Sequence, residues 1–187
     1  DPAWGMRLTP RYWEMLRSED RVPIAELSSV FLSPPTPEHV QFAYFHSSLV
    51  VEFLIERFGF DALKGVLRSL RVGVDINEAL AKHTVPMASL EAEFAAFAEG
   101  RAKAFASERM MEKPPAALLK PGAEAELKTW LERHPENLTA LLTLARQALS
   151  GQRWAEAREL AERAIKLVPD HTGHEGAYPL WVEALRE

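Results

Sequence analysis

The sequence has no cysteine among its 187 residues. This absence excludes disulfide scaffolds, thiolate zinc sites, iron–sulfur clusters and cysteine nucleophiles. It does not decide the compartment, because reducing and oxidising environments both hold cysteine-free proteins. No apolar run reaches the roughly 20 residues that a membrane-spanning helix needs. We therefore predict no transmembrane segment in these residues.

An excess of positive charge is also missing. The chain has 22 Lys and Arg against 27 Asp and Glu, a net charge of −5 and an isoelectric point near 5.7. Proteins that bind the phosphate backbone usually present a net basic face, so no nucleic-acid partner is expected. With 47% hydrophobic and 26% charged residues, the composition is typical of a folded chain.

Alternating runs of β-branched residues are absent, so the sequence predicts an all-α fold without a sheet. Two Thr-Pro pairs mark helix starts, Thr9-Pro10 and Thr36-Pro37. The second pair opens the strongest predicted helix, about 22 residues long. This helix ends before Gly59, because glycine is favoured just past a helix end. The proline-containing stretch 20–37 before it is expected to be irregular.

Three further helices are predicted before residue 105. Asp61 is expected to cap the first, Asp75 the second, and Ser89 to open the third. The expected inward face of the first of these helices consists of Leu63, Val66, Leu67 and Leu70. Residues 106–122, which contain Pro114, Pro115, Pro121 and Gly122, are interpreted as a linker. The predicted organisation is therefore a helical domain at 1–105, a linker at 106–122 and a second helical region at 123–187.

The second region shows an internal period. Pro135 and Pro169 lie 34 residues apart, and each closes an amphipathic helix. In the unit 138–171 the expected inward positions are Leu141, Leu144, Ala145, Ala148, Trp154, Ala157, Ala161 and Ala164. This pattern resembles a tetratricopeptide repeat, an arrangement of paired helices in a solenoid. Residues 123–136 and 176–187 resemble half-repeats on either side of this unit.

The repeat resemblance departs from the family pattern at two points. The spacing from Gly151 to Ala157 is one residue longer, and Ala148 stands where a tyrosine is common. A solenoid usually needs three or more repeats. Either the repeats pack on the N-terminal region, or further repeats follow Glu187 in the parent protein. The resemblance implies that the repeat region binds a protein or a peptide.

A second resemblance covers about residues 7–105. It rests on short words in a fixed order: VPIAEL at 22–27, AY at 43–44, ERFG at 56–59 and SLEAEF at 89–94. This order resembles the C-terminal helical subdomain of gluzincin, or peptidase-MA-like, metallopeptidases. The resemblance implies a zinc peptidase fold in which an HExxH helix and a further Glu bind the metal. It also favours a bacterial protein in the periplasm or at a membrane.

The zinc motif itself is not in these residues. The six histidines are His39, His46, His83, His134, His171 and His174. The nearest imitation of the motif begins at His174-Glu175 but lacks a second histidine, and we assign it to a repeat loop. No cofactor is therefore expected in this chain. If the resemblance holds, the ligands lie upstream of Asp1 and zinc belongs to the parent protein.

One residue is a catalytic candidate. Tyr44 occupies the position at which the resembled peptidases place a tyrosine facing the metal, where a phenol can stabilise an oxyanion. The alternative is a core residue whose hydroxyl is satisfied at the rim. His39 with His46, and Ser47-Ser48 beside His46, are weaker candidates and are interpreted as packing or surface residues. Lys64, Arg68 and Arg71 form a basic face that is too small to indicate nucleic acid.

Two functions follow from these observations. The first is a protein-interaction or scaffold fragment of a tetratricopeptide-repeat protein, without catalytic activity in isolation. The alternative is the non-catalytic part of a zinc-dependent gluzincin peptidase, with Tyr44 as the oxyanion stabiliser. A degenerate member of that family, which never had a metal site, is a third interpretation. Reading the sequence upstream of Asp1 for HExxH separates the last two.

Overall fold

The computed structural model describes residues 7–186. Over these residues the chain forms helices and turns with no strand, and the predicted all-α fold class is confirmed. The chain divides into two compact units, residues 1–105 and 106–187. Each unit has its own buried core.

The first unit contains five α-helices and one 3₁₀ turn in its described part. The helices are α1 (Pro10–Leu16), α2 (Leu27–Leu32), α3 (Pro37–Arg71), α4 (Ile76–His83) and α5 (Met87–Phe105), and the 3₁₀ turn is Ile24–Glu26. The long helix α3 is the centre of this unit, because α1, α2, α4 and α5 all pack against it.

Helix starts follow the local capping signals. The Thr9 hydroxyl accepts a hydrogen bond from the backbone N–H of Tyr12 at 3.1 Å, and Pro10 occupies the first helical position. The Asp75 carboxylate likewise accepts from the N–H of Asn77 at 2.8 Å. Each cap satisfies a backbone donor that has no partner within its helix. The predicted starts of α1 and α4 are therefore confirmed.

Helix α3 is interrupted at Gly59. Its φ of 80° and ψ of 165° are non-helical, in a region that only glycine adopts readily. The predicted helix break is confirmed, but the chain resumes helical geometry at once instead of entering a loop. The Asp61 carboxylate, expected as a cap, pairs with Lys64.

Three expectations for this unit were wrong. The stretch 20–37 is not irregular, because Ile24–Glu26 and α2 fold within it. Pro23 precedes this turn and sets the chain direction. Helix α5 begins at Met87 rather than Ser89, directly after Pro86.

The third error concerns the inward face of α3 after Gly59. Val66 is buried as expected, but Leu67 is 57% exposed and Leu70 is 36% exposed. The buried neighbours of Val66 are instead Gly65 and Ser69. Helix α4 packs on this side of α3, and small residues allow that close approach.

In its described part, the second unit contains five α-helices and one 3₁₀ turn. These are α6 (Glu108–Met111), the 3₁₀ turn Ala116–Leu119, α7 (Glu124–Arg133), α8 (Leu138–Ser150), α9 (Trp154–Leu167) and α10 (Ala177–Ala184). Helix α8 packs against both α7 and α9, and α10 packs against α9 and α8. The segment 106–122, interpreted above as a linker, thus contains one short helix and one 3₁₀ turn.

The core of the second unit is built from small residues between α8 and α9. Ala145, Ala148, Ala157 and Ala161 each have 0% exposed surface, and Ala164 has 1%. Leucines fill the remaining space, among them Leu127, Leu131, Leu138, Leu141 and Leu144. Alanine lets two helix backbones approach closely, and buried leucines supply apolar area. Trp154, expected to point inward, is only partly buried.

Candidate functional site

A groove lies between α7 and α9, two helices that occupy equivalent positions one repeat period apart in the sequence. Its cavity has a volume of about 310 Å³. Leu131 from α7, Leu144 from α8 and Leu160 from α9 are the apolar residues that line it. Helices α7 and α9 both pack on α8. Because Leu144 of α8 lines the cavity, α8 provides the surface beneath the groove.

Paired contacts show that α7 and α9 run in the same direction. Glu124 pairs with Arg153, Lys128 pairs with Glu156, and the carbonyl oxygen of Pro135 accepts from Arg163 at 3.1 Å. Because residue numbers rise together along both helices, the two helices are parallel. Parallel neighbours with an antiparallel helix between them are the geometry expected of stacked helical hairpins.

The N-terminal end of the groove carries a four-residue ion-pair cluster. Nζ of Lys128 lies 2.8 Å from Oε1 of Glu124, and Nε of Arg153 lies 2.7 Å from Oε2 of Glu156. The hydrogen bond from Lys128 is the largest cause that lowers the pKa of both carboxyl groups, with Arg153 adding to it. Glu124 in turn raises the pKa of Lys128. All four side chains are therefore charged and neutralise one another.

Two carboxylates in the middle of the groove have no such partner. Glu132 on α7 and Glu159 on α9 line the cavity, and neither forms an ion pair with a residue in the described range 7–186. Their charges face the space above the leucines. Arg163 lines the cavity as well, so the two carboxylates leave one net negative charge beside the neutral ion-pair cluster. The groove therefore combines an apolar floor with a small excess of negative charge, which suits a cationic side chain with an aliphatic stem.

The groove is not predicted by the sequence, although Leu144 is predicted as an inward residue and the helix of Leu131 as part of a half-repeat. Glu132 and Glu159 have no predicted role. The available signal was the period, which places α7 and α9 in equivalent positions of successive repeats.

Tyr44, the predicted catalytic candidate, lies on the solvent side of α3. Its side chain is 57% exposed, so it is not a core residue. The ring meets that of Phe31 edge-on, with ring centroids 5.0 Å apart. Among the described residues its hydroxyl has no hydrogen-bond partner. Tyr44 therefore presents a free phenol at the surface.

The histidines of α3 do not share a site. His39 is near the surface, where its ring nitrogens contact Thr36 at 2.8 Å and Asp20 at 3.4 Å. His46 is 1% exposed and stacks between Phe42 and Phe94. Among the residues that the structure describes, its Nε2 atom has no hydrogen-bond partner, so this atom is not hydrogen-bonded to Ser47 or Ser48.

The described histidines and carboxylates do not form a zinc-binding group. Within residues 7–186, no three His, Cys, Asp or Glu side chains are grouped so that they could hold a metal ion. The histidines pack individually: His83 on α3, and His134 against Trp130 with ring centroids 3.7 Å apart. The described part of the chain therefore does not fit a zinc site.

One serine–histidine contact is not predicted by the sequence. Ser69 Oγ and His83 Nε2 lie 2.8 Å apart, a distance that suits a nucleophile and its base. However, Ser69 is 7% exposed, and the Nδ1 side of the His83 ring lies against Gly65 rather than a carboxylate. The pair therefore joins α3 to α4, and its residues lie 14 positions apart on different helices.

No family model, curated protein or solved structure matches the chain at a significant level. In the part of the chain that the structure describes, no helix combines the length and the apolar character needed to cross a membrane.

Proposed function

We propose that the chain is a protein-interaction module whose second unit binds a segment of another protein in the groove between α7 and α9. The observation that carries this proposal is the leucine-lined cavity between two parallel helices, which Glu132 and Glu159 also line. These two carboxylates have no ion-pair partner among residues 7–186. Assignment of residues 123–187 to tetratricopeptide repeats is part of the proposal. It is supported by the 34-residue period and by the alanines buried between α8 and α9.

The charge of the groove indicates the chemistry of the bound segment. A lysine or arginine side chain can lay its methylene groups on the leucines and place its cation between the two carboxylates. Lys128 is already paired with Glu124 and Glu156, and Arg163, which also lines the groove, donates to the carbonyl oxygen of Pro135. The two carboxylates therefore outnumber the remaining cation of the groove by one. We therefore infer that the module prefers a short segment in which a basic residue has apolar neighbours.

Selection of peptides tests this function. A random displayed library is panned on the purified chain, and the affinity of enriched peptides is measured by fluorescence anisotropy. We expect Lys or Arg next to an apolar residue in the enriched sequences. The double variant Glu132→Lys/Glu159→Lys should bind them at least about tenfold more weakly, because two attractions become repulsions.

Glu126→Lys is the matched control, since Glu126 is exposed on α7 and does not line the groove. It should bind the selected peptides like the parent chain. Peptide binding that is equally strong in the double variant would contradict the groove as the site. Failure to enrich any peptide would contradict the interaction module itself.

A second candidate is part of a zinc-dependent peptidase. The exposed, unpaired phenol of Tyr44 favours it, because an oxyanion donor must be free to reach the substrate. In this candidate the zinc ligands lie outside these 187 residues. In a protein that carries this chain together with an HExxH motif, Tyr44→Phe should lower kcat for peptide hydrolysis about 100-fold, the effect of losing one oxyanion donor. Unchanged turnover would contradict the role.

A further inference from the structure

The part of α3 after Gly59 exposes large apolar side chains. Phe60 is 60% exposed and Leu67 is 57% exposed, and Val72, which caps the helix, is 77% exposed. The opposite side of this helix segment is the one that packs, through Gly65, Val66 and Ser69. The apolar side chains are therefore not part of the core of the first unit.

Cationic side chains are interleaved with these apolar ones. Lys64, Arg68 and Arg71 are all exposed, and positions 60, 64, 67 and 71 recur at the three- and four-residue steps that share one helix face. We call the set Phe60, Lys64, Leu67, Arg68, Arg71 and Val72 the basic-apolar face.

The basic-apolar face has a net positive charge although the chain has a net charge of −5. Asp61 is the one carboxylate in the sequence 60–72, and it pairs with Lys64. The ammonium group of Lys64 also lies 5.6 Å from the centre of the Phe60 ring. Arg68 and Arg71 form no ion pair with any residue of the described range.

We propose that the basic-apolar face docks the first unit onto an anionic lipid surface. Helices that lie in a membrane interface combine Phe and Leu, which enter the boundary of the acyl chains, with Lys and Arg, which remain among the headgroups. Phe60, Leu67 and Val72 supply the inserted groups, while Lys64, Arg68 and Arg71 attract the anionic headgroups. This docking is independent of the function proposed for the second unit.

The dimensions of the face favour a lipid surface over a protein partner. From Phe60 to Val72 it is about 18 Å long and one helix, about 10 Å, wide. A stable protein interface needs about 800 Å² from each partner and a complementary shape. A bilayer adapts to the helix and needs neither, so charge and exposed apolar groups are sufficient for peripheral binding.

Co-sedimentation of the whole chain with vesicles tests the proposal. The vesicles contain phosphatidylcholine alone, or phosphatidylcholine with an equal amount of phosphatidylglycerol. We expect binding only to the anionic vesicles, and weaker binding as NaCl is raised. Arg68→Gln/Arg71→Gln should weaken binding about 30-fold, from the loss of two cations near an anionic surface. Phe60→Ser/Leu67→Ser should weaken it at least about tenfold.

The matched control is Leu32→Ser/Arg133→Gln, which removes an exposed apolar residue and an exposed cation elsewhere. It should bind like the parent chain. All the substituted residues are exposed, and circular dichroism verifies that each variant is folded. Equal losses in the control and in the face variants, or equal binding to both kinds of vesicle, would overturn the proposal.

A site-specific probe separates insertion from charge attraction. Because the chain has no cysteine, Leu67→Cys accepts a single environment-sensitive fluorophore. Anionic vesicles should shift its emission to the blue, whereas a label on Leu32→Cys should not respond. Poly-glutamate serves as the acidic-polymer comparison. Binding to poly-glutamate without a vesicle response would overturn the lipid assignment in favour of an acidic protein partner.

Discussion

His46 is an ionisable side chain in the core of the first unit. Its ring stacks at 5.6 Å from Phe42 and at 5.3 Å from Phe94. Burial lowers its pKa from 6.5 to about 4, with a smaller contribution from the charge of Arg21. The imidazole is therefore neutral in the folded protein at neutral pH. In the unfolded chain it regains its ordinary pKa, so the unfolded state binds a proton more readily.

This difference predicts a loss of stability in acid. Above pH 6.5 both states hold His46 neutral, and its titration costs no stability. As the pH falls from 6.5 to about 4, the unfolded state is protonated first, and about 3 kcal/mol of the free energy of unfolding is lost. In His46→Leu this loss should be absent over the same range. Urea unfolding followed by circular dichroism between pH 4 and pH 7 measures it.

His174→Ala is the control for this prediction, because His174 is exposed. Its stability should depend on pH as in the parent chain. Carboxyl groups titrate equally in all three proteins and cancel in the comparison. A parent chain and a His46→Leu variant with the same pH dependence would show that His46 does not cause the loss.

At the scale of elements, Gly65 determines how α3 and α4 pack. A Cβ atom at Gly65 would lie 2.5 Å from Nδ1 of His83, so glycine is required for this approach. With the His83 ring against Gly65, Nε2 of His83 is within hydrogen-bond distance of Oγ of Ser69. This contact explains why Leu67 and Leu70 face solvent, since α4 occupies the other side of the helix.

Two glycine-to-alanine variants test this packing. Gly65→Ala should lower the free energy of unfolding by about 1–3 kcal/mol, because the added methyl displaces the His83 ring. Gly100→Ala is the matched control in helix α5, where a Cβ atom meets nothing within 4 Å. It should raise stability by up to about 1 kcal/mol through helix propensity. Urea unfolding of both variants measures these changes, and equal effects would contradict the role of Gly65.

The elements show which features the sequence could predict. Helix caps are local, so Thr9, Asp75 and the break at Gly59 were readable from neighbouring residues. The orientation of Leu67 was not, because the inward side is chosen by a contact between Gly65 and a histidine 18 positions later. The groove between α7 and α9 was missed for the same reason, since its sides are joined by partners 28 or 29 residues apart.

At the scale of the whole molecule, the chain consists of two units with separate cores. Gly65 lies in the first and contacts His83. Asn137 lies in the second and is fully buried. Its Oδ1 accepts from the N–H of Ala140 at 2.9 Å, and its Nδ2 donates to the carbonyl of Glu112 at 2.7 Å. Asn137 and Gly65 therefore act on different partners.

Separate cores predict separate effects of mutation. Asn137→Asp keeps the helix cap but loses the Nδ2 donor and buries a charge, so it should destabilise the second unit by at least about 2 kcal/mol. Hydrogen exchange read by mass spectrometry should show faster exchange only in residues 106–187. Gly65→Ala should do the same only in residues 1–105. Variants at independent sites should combine additively in the double variant.

The outcome that contradicts this prediction is faster exchange in the unit that was not mutated. Coupling of more than about 0.5 kcal/mol in the double variant would contradict it as well.

Two contacts join the sides of the groove, and they limit the length of a segment that could bind between them. Lys128–Glu156 spans one end and Arg163–Pro135 the other. Glu156 and Arg163 lie seven residues apart on α9, so the bridges are separated by about 10 Å. An extended chain covers that distance with about three residues. Under the function proposed for the second unit, a bound segment therefore enters between the bridges from above, and about three of its residues contact the groove.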